Sequence, residues 1–216
     1  MKSKKIIVAL DSNNLNKTIK LVKILKKDVY AFKIGYQFFY NFGLEGYKKV
    51  YSICPKIFLD LKLHDIPNTV ENGLEALFKM KPLFTTIHIS GGDDMMIAST
   101  ANKKNTMILG VSILTSLDSD QTKKYYSQKN VSTLVKKFAQ AAKKNKTATI
   151  VLNSNIVKSE DFEEGEKLPD ILPRFSGSID SVRAKIMSKS PRFAPSCVFE
   201  SKALFKSSLD FSIDLI

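Results

Sequence analysis

The sequence predicts an α/β fold with a parallel sheet, in the form of a TIM-type (β/α)8 barrel. Short apolar runs alternate with helix-period segments along most of the chain, which is typical of repeated βαβ units. The first apolar run is not followed by the GxGxxG turn that a dinucleotide-binding sheet needs. A length of 216 residues can hold one barrel of this kind. Together these observations favour the barrel over an open, doubly wound sheet.

Strands and helices are predicted in alternation. The predicted strands are short runs rich in β-branched and aromatic residues, whereas the helices repeat apolar residues at intervals of three and four. The strands span residues 6–10, 30–35, 56–63, 84–89, 106–114 and 147–153. The helices span residues 14–28, 37–53, 67–80, 94–103 and 131–144, and Pro67 suits the first turn of the third.

The alternation stops after about residue 155, so the chain is predicted to have two segments. Residues 1–155 form βα units 1–6 and contain the charged strand discussed below. Residues 156–216 are an atypical C-terminal segment that is rich in Ser and contains all three Arg residues. We expect strands 7 and 8 of the barrel to be atypical or degenerate there. A reading-frame change in the gene and genuine divergence are both open explanations.

The net charge of +13 raises the question of a nucleic-acid partner. Three of the 34 basic residues are Arg, the preferred reader of base edges and phosphates, and the rest are Lys spread along helices. The charge therefore predicts a solvated, Lys-rich surface and no nucleic-acid partner. The apolar run 6–10 is too short for a secretory or membrane segment, and two Cys residues make no disulfide framework. We expect a cytoplasmic protein with no membrane partner.

The stretch FLDLKLHDIPNT places charged residues inside a predicted strand. Charges are rarely buried without partners, so such a strand is either an exposed edge or the wall of a reaction site. Asp60 and Lys62 share one face if the strand is extended, and Asp65 follows in the loop. Asp11 and Lys33 end the two preceding strands at the same rim. Because helices flank this strand in sequence, a reaction site is predicted rather than an edge.

The stretch FLDLKLHDIPNTV is similar to the signature of the orotidine 5'-phosphate decarboxylase family, D-x-K-x-x-D followed by I-x-x-T. VALD (8–11), FKIG (32–35) and VSILTS (111–116) resemble other stretches of that family, in the family's order. The resemblance covers about residues 5–155. The glycine–arginine pair with which the family grips the substrate phosphate has no counterpart in residues 156–216, so no phosphate-binding residue is assigned.

The resemblance implies decarboxylation of orotidine 5'-phosphate to UMP in pyrimidine biosynthesis, with no metal or organic cofactor. It implies that Lys62 stabilises and protonates the carbanion formed at C6, and that Asp60 lies against the substrate carboxylate. Lys33 and Asp65 would complete an alternating charged network, in which Lys33 also contacts the substrate. Asp11 would bind the ribose hydroxyl groups.

The resemblance further implies a homodimer. The loop carrying Asp65, Ile66 and Thr69 would reach the substrate in the neighbouring subunit. Thr115 would contact the pyrimidine or its carboxylate, with Ser116 as the alternative one position later. The aromatic run YQFFYNFG (36–43) is expected in core and dimer packing.

Other features have simpler interpretations, and two other functions stay open. His64 and His88 are expected to be structural, and Gly91 and Gly92 to form a tight turn. One alternative function is that of a non-catalytic or impaired family member whose phosphate site is disrupted. The other is a related metal-dependent sugar-phosphate lyase, which shares the D-x-K-x-x-D strand.

Overall fold

A computed structural model of the chain describes residues 7–102, 105–114, 116–145 and 150–151. Within these residues the chain forms two compact units, of which the first ends at Asp60 and the second begins at Leu61. The predicted contact residue Thr115 and the predicted C-terminal segment 156–216 lie outside the described residues.

The first unit consists of alternating strands and helices. Its elements are β1 (Ile7–Ala9), α1 (Leu15–Leu25), β2 (Ala31–Ile34), α2 (Tyr36–Tyr51) and the first four residues of β3 (Ile57–Leu63). The strands are parallel and lie in the order β1, β2, β3. Because each strand lies beside its neighbour in sequence, the chain winds in one direction, as it does in a barrel and not at the switch point of a doubly wound sheet.

Local sequence signals explain the helices of this unit. The Asn14 side chain accepts a hydrogen bond of 3.0 Å from the Lys17 N–H and so caps α1. Helix α1 buries Val22 and Leu25 on one face, while its Lys residues lie largely on the others. Helix α2 contains a kink at Gly43, whose φ of 52° is accessible to glycine at little cost.

The second unit continues the alternation. It contains the last three residues of β3, α3 (Pro67–Phe78), β4 (Phe84–His88), a 3₁₀ turn (Ile89–Gly91), α4 (Asp93–Thr100), β5 (Met107–Val111), α5 (Ser119–Tyr126), α6 (Val131–Lys144) and β6 (Ile150–Val151). Strands β4, β5 and β6 are parallel and again lie in chain order. Pro67 occupies the first turn of α3, as the sequence predicts.

One helix of the second unit is absent from the prediction. Helix α5 begins after Asp118, whose side chain accepts hydrogen bonds from Asp120 and Gln121, while the Gln121 side chain accepts one from the Asp118 N–H. This reciprocal capping box is visible in the sequence as D-x-x-Q. The following apolar pattern is weak, because the helix buries little beyond Thr122. Among the helices of the described residues, none is both long and apolar enough to cross a membrane.

Candidate active site

A buried ion pair joins two strands of the first unit. Lys33 Nζ on β2 lies 3.9 Å from Asp60 Oδ2 on β3, and the two side chains are 13% and 8% exposed. The register of the strands sets Lys33 beside Phe58, so that Asp60 lies two residues further toward the end of β3. Desolvating two charges is costly unless they compensate each other, which makes this pair a candidate for function rather than for stability alone.

Asp11 lies at the same strand ends of the first unit. It follows β1 by two residues and is half-buried. A Cβ at Gly35, which directly follows β2, would lie 3.1 Å from Asp11 Oδ1, so glycine lets the two segments approach closely. The structure therefore brings together the three residues predicted in this unit: Asp11 beside the end of β2, and Lys33 with Asp60.

Tyr36 is a residue of this region that the sequence analysis placed in packing. It begins α2, and its ring stacks on that of Tyr40 with centroids 5.6 Å apart and planes within 4°. The pKa of the Tyr36 hydroxyl is raised chiefly by its partial burial. The electrostatic effects of Tyr40 and Asp60 raise it further. Tyr36 thus lies within the electrostatic field of Asp60. The available sequence signal was its position directly after FKIG.

The backbone of Lys62, in the second unit, departs from strand geometry. Its φ is +42°, a left-handed conformation that costs a non-glycine residue about 1–2 kcal/mol. Its N–H donates a hydrogen bond of 2.8 Å to Oγ1 of the buried Thr86 on β4. The prediction that Asp60 and Lys62 share a face assumed an extended strand through residue 63. Strand β3 does end at Leu63, as predicted, but the backbone at Lys62 is not extended, and sequence alone gave no signal for this.

Two histidines meet just beyond this point. The rings of His64 and His88 have centroids 5.1 Å apart and are tilted by 33°. A Cβ at Gly91 would overlap the Met95 sulfur and lie 3.2 Å from His64 Cδ2, so the 3₁₀ turn can only approach these side chains because residue 91 is glycine. These contacts agree with the structural interpretation of the two histidines.

The loop between β3 and α3 is exposed. Asp65 Oδ1 accepts a hydrogen bond of 2.7 Å from the Ile66 N–H, and Ile66, at the N-cap of α3, is 66% exposed. Thr69 is exposed in the first turn of that helix. The role of these residues in a neighbouring subunit stays a prediction. Ser116, the alternative to Thr115, is exposed as well.

Within the described residues, no three His, Cys, Asp or Glu side chains are grouped closely enough to hold a metal ion. Of the acidic residues predicted for the site in the first unit, Asp11 lies close to Gly35, and Asp60 is paired with Lys33.

The model of one protein family, described as orotidine 5'-phosphate decarboxylase / HUMPS family, matches residues 4–181. The chain belongs to this family. The match confirms the resemblance seen in the sequence and extends it beyond residue 155.

Individual relatives in this family carry the same description. The chain is 40% identical over 120 residues to the orotidine 5'-phosphate decarboxylase of Ehrlichia chaffeensis. This alignment covers 55% of this chain and 52% of the relative. The chain is 38% identical over 154 residues to the enzyme of the same name from Ligilactobacillus salivarius. That alignment covers 67% of this chain and 65% of the relative. The chain thus matches between half and two thirds of the length of these relatives.

A solved structure of the family supports the fold class. The structure of orotidine 5'-phosphate decarboxylase from Lactobacillus acidophilus matches with a TM-score of 0.61 and 33% identity, over 71% of this chain and 73% of that one. The fold is therefore of the α/β, TIM-type barrel class, as the sequence predicts. The prediction of atypical strands 7 and 8 concerns residues outside those described.

Proposed function

We propose that the protein decarboxylates orotidine 5'-phosphate to UMP in de novo pyrimidine biosynthesis. The observation that carries this proposal is the buried Lys33–Asp60 pair on adjacent strands of a chain that belongs to this family. Lys62 follows two residues later on the same strand. An alternating set of amines and carboxylates in a poorly hydrated place is suited to stabilising charge that develops during a reaction.

In the proposed reaction the bond between C6 and the carboxylate breaks and CO2 leaves, while the bonding electron pair stays on C6. The Lys62 ammonium lies beside the developing carbanion, lowers its energy and then transfers a proton to C6. The carboxylate of Asp60 lies against the substrate carboxylate, and this repulsion is relieved as CO2 departs. Fixed charges supply the stabilisation, so the reaction needs no metal or organic cofactor.

The remaining predicted residues bind the substrate. Asp11 accepts hydrogen bonds from the ribose hydroxyl groups, next to Gly35 where the backbone approaches closely. Lys33 holds Asp60 in position and contacts the substrate. Thr115 contacts the pyrimidine or its carboxylate group.

The active form is a cytoplasmic homodimer. Asp65, Ile66 and Thr69 of one subunit complete the site of the other. The exposure of Ile66 at the N-cap of α3 is compatible with this role, because its side chain is accessible to a partner.

The test is an ultraviolet absorbance assay of orotidine 5'-phosphate decarboxylation by the purified chain. We expect Lys62→Ala to lower kcat by about 10³-fold or more, because it removes the charge and the proton donor. Lys48→Ala is the control, since Lys48 is an exposed helical lysine paired with Glu45, and it should leave turnover unchanged. An inactive but folded wild-type chain, or full activity in Lys62→Ala, would contradict the proposal.

The breadth of the family description favours one alternative, a metal-dependent sugar-phosphate lyase of the same barrel group. Incubation with a chelator before the assay separates the two functions. Turnover of orotidine 5'-phosphate should persist after chelation, whereas a lyase would lose its activity and recover it when Mg²⁺ is returned. A folded chain that turns over neither orotidine 5'-phosphate nor a sugar phosphate would instead indicate the impaired family member.

A further inference from the structure

The end of β3 is attached to β4 through a side chain. In a regular sheet, adjacent strands are joined by bonds between backbone groups. Here the Lys62 N–H donates to Thr86 Oγ1 at 2.8 Å. Thr86 is 1% exposed and lies in the middle of β4, where it pairs with Leu109 of β5.

This acceptor is held in a fixed position. Threonine is branched at Cβ and has few χ1 rotamers, and a buried strand position restricts them further. The backbone of Lys62 has φ of +42°, which turns its Cα–Cβ bond away from the direction that an extended residue would give. The origin of the Lys62 side chain therefore depends on a conformation that the Thr86 hydroxyl stabilises.

A second contact holds the chain two residues further on. The His64 ring lies against that of His88 and next to the backbone of Gly91. Lys62 thus lies at one of two successive attachments between the end of β3 and the β4 segment. The Thr86 attachment acts on Lys62 itself, and the His64 attachment fixes the direction in which the chain leaves.

We propose that Thr86 is the positioning residue of Lys62: its hydroxyl holds the left-handed backbone that aims the Lys62 ammonium at the reacting carbon. This inference rests on the proposed function. In this proposal Thr86 acts through Lys62. A displacement of about 1 Å of a catalytic group can lower turnover by about 10²-fold.

The experiment compares three variants in the decarboxylation assay. Thr86→Val removes the acceptor and keeps the shape, and we expect kcat to fall by about 10²-fold with KM changed by less than about threefold. Thr86→Ser keeps the hydroxyl and should restore most of kcat. Thr106→Val is the matched control, because Thr106 is also buried and its hydroxyl donates a bond of equal length, 2.8 Å, to the Pro82 carbonyl. That variant should lose thermal stability without losing kcat.

A second measurement does not depend on turnover. The Lys62 side-chain amine is acylated in its neutral form with an amine-reactive reagent, which releases its leaving group, and the rate is followed by mass spectrometry of the Lys62 peptide. We expect a severalfold change of rate in Thr86→Val, a wild-type rate in Thr86→Ser, and a wild-type rate in Thr106→Val. Exposed Lys48 provides an internal reference within the same samples.

The two measurements separate failure of the inference from failure of the proposed function. If the wild-type chain does not decarboxylate orotidine 5'-phosphate but labelling depends on Thr86, the proposed function fails, and what stands is that Thr86 controls the conformation of Lys62. If Thr86→Val matches wild type in kcat and labelling, or if Thr86→Ser is as impaired as Thr86→Val in both, the positioning role is overturned. An equal loss of kcat in Thr106→Val would also overturn it, since the effect would then be one of stability alone.

Discussion

The two halves of β3 differ in burial and in backbone geometry. Residues Ile57–Asp60 are buried and regular, and their register with β2 places Asp60 near Lys33. Residues Leu61–Leu63 are half-exposed and contain the left-handed Lys62. The charged residue of the first half, Asp60, forms a buried ion pair with Lys33. The charged residue of the second half, Lys62, lies where the backbone leaves the extended conformation. A single strand thus carries charged residues in two different settings: Asp60 belongs to a buried ion pair, and Lys62 has a left-handed backbone.

The largest expected effect concerns the buried half. Asp60→Asn leaves the Lys33 ammonium without its carboxylate, and loss of one partner of a buried pair costs about 3–5 kcal/mol. We expect the free energy of unfolding, measured by urea denaturation, to fall by this amount.

The control for this prediction is a shorter ion pair on the surface. Glu45 Oε1 and Lys48 Nζ are 2.9 Å apart, but their side chains are 77% and 60% exposed. Because water screens exposed charges, Glu45→Gln should leave stability unchanged. If the two variants lose the same stability, burial does not distinguish the Lys33–Asp60 pair from an exposed ion pair, and the prediction is contradicted.

A smaller effect should follow from crowding the attachment of the second half. Gly91→Ala would place a methyl group against the buried Met95 and close to His64, and overpacking of this kind costs about 1–3 kcal/mol. Gly73→Ala is the matched control, since its new Cβ would lie 3.5 Å from Leu63 Cδ2, an ordinary contact, within α3. That variant should gain about 0.5–1 kcal/mol, because alanine favours helix over glycine. Thermal denaturation of both proteins measures the difference, and a loss in both would show that the region tolerates no added methyl group.

The smallest expected effect is a pH dependence in the first unit. Burial raises the pKa of Tyr47 above its ordinary 10.0. The unfolded chain therefore loses the Tyr47 proton at lower pH than the folded chain. The contribution of Tyr47 to the free energy of unfolding is fully present below pH 10.0 and declines as the pH rises toward the folded pKa. The decline is about 1.4 kcal/mol per pH unit in this window.

Comparison with Tyr47→Phe isolates this contribution. The variant has no hydroxyl to ionise, so its free energy of unfolding should fall less steeply than that of wild type above about pH 10. At neutral pH the two curves should run parallel. Equal slopes in alkaline solution would show that Tyr47 does not remain protonated in the folded protein.

Much of the fold could be predicted because the elements have strong local signals. Helix α6 was predicted with its observed bounds, and α3 begins at Pro67 as expected, since each has a defined start and a clear apolar face. Strands β2, β3 and β4 were predicted to within one residue at each end. Strand β5 was predicted to continue to residue 114 but ends at Val111, because apolar residues continue past the last ladder bond. Helix α5 was missed because it buries little, and only its capping box marked it.

The candidate site could be predicted only in part. Asp11, Lys33 and Asp60 were found because regular parallel strands bring their ends to one side. The conformation of Lys62 was not found, since positive φ at a lysine has no sequence signature. Thr86 was missed for a related reason: its partner is a backbone group of a strand residue 24 positions earlier, and the sequence shows no pattern for such a bond.

The left-handed backbone at Lys62 also has a consequence for how this chain tolerates change. Glycine is the residue best suited to that conformation, and it would relieve the strain while removing the ammonium. Under the proposed function, the residue that this backbone favours and the residue that the reaction needs are therefore different at this one position.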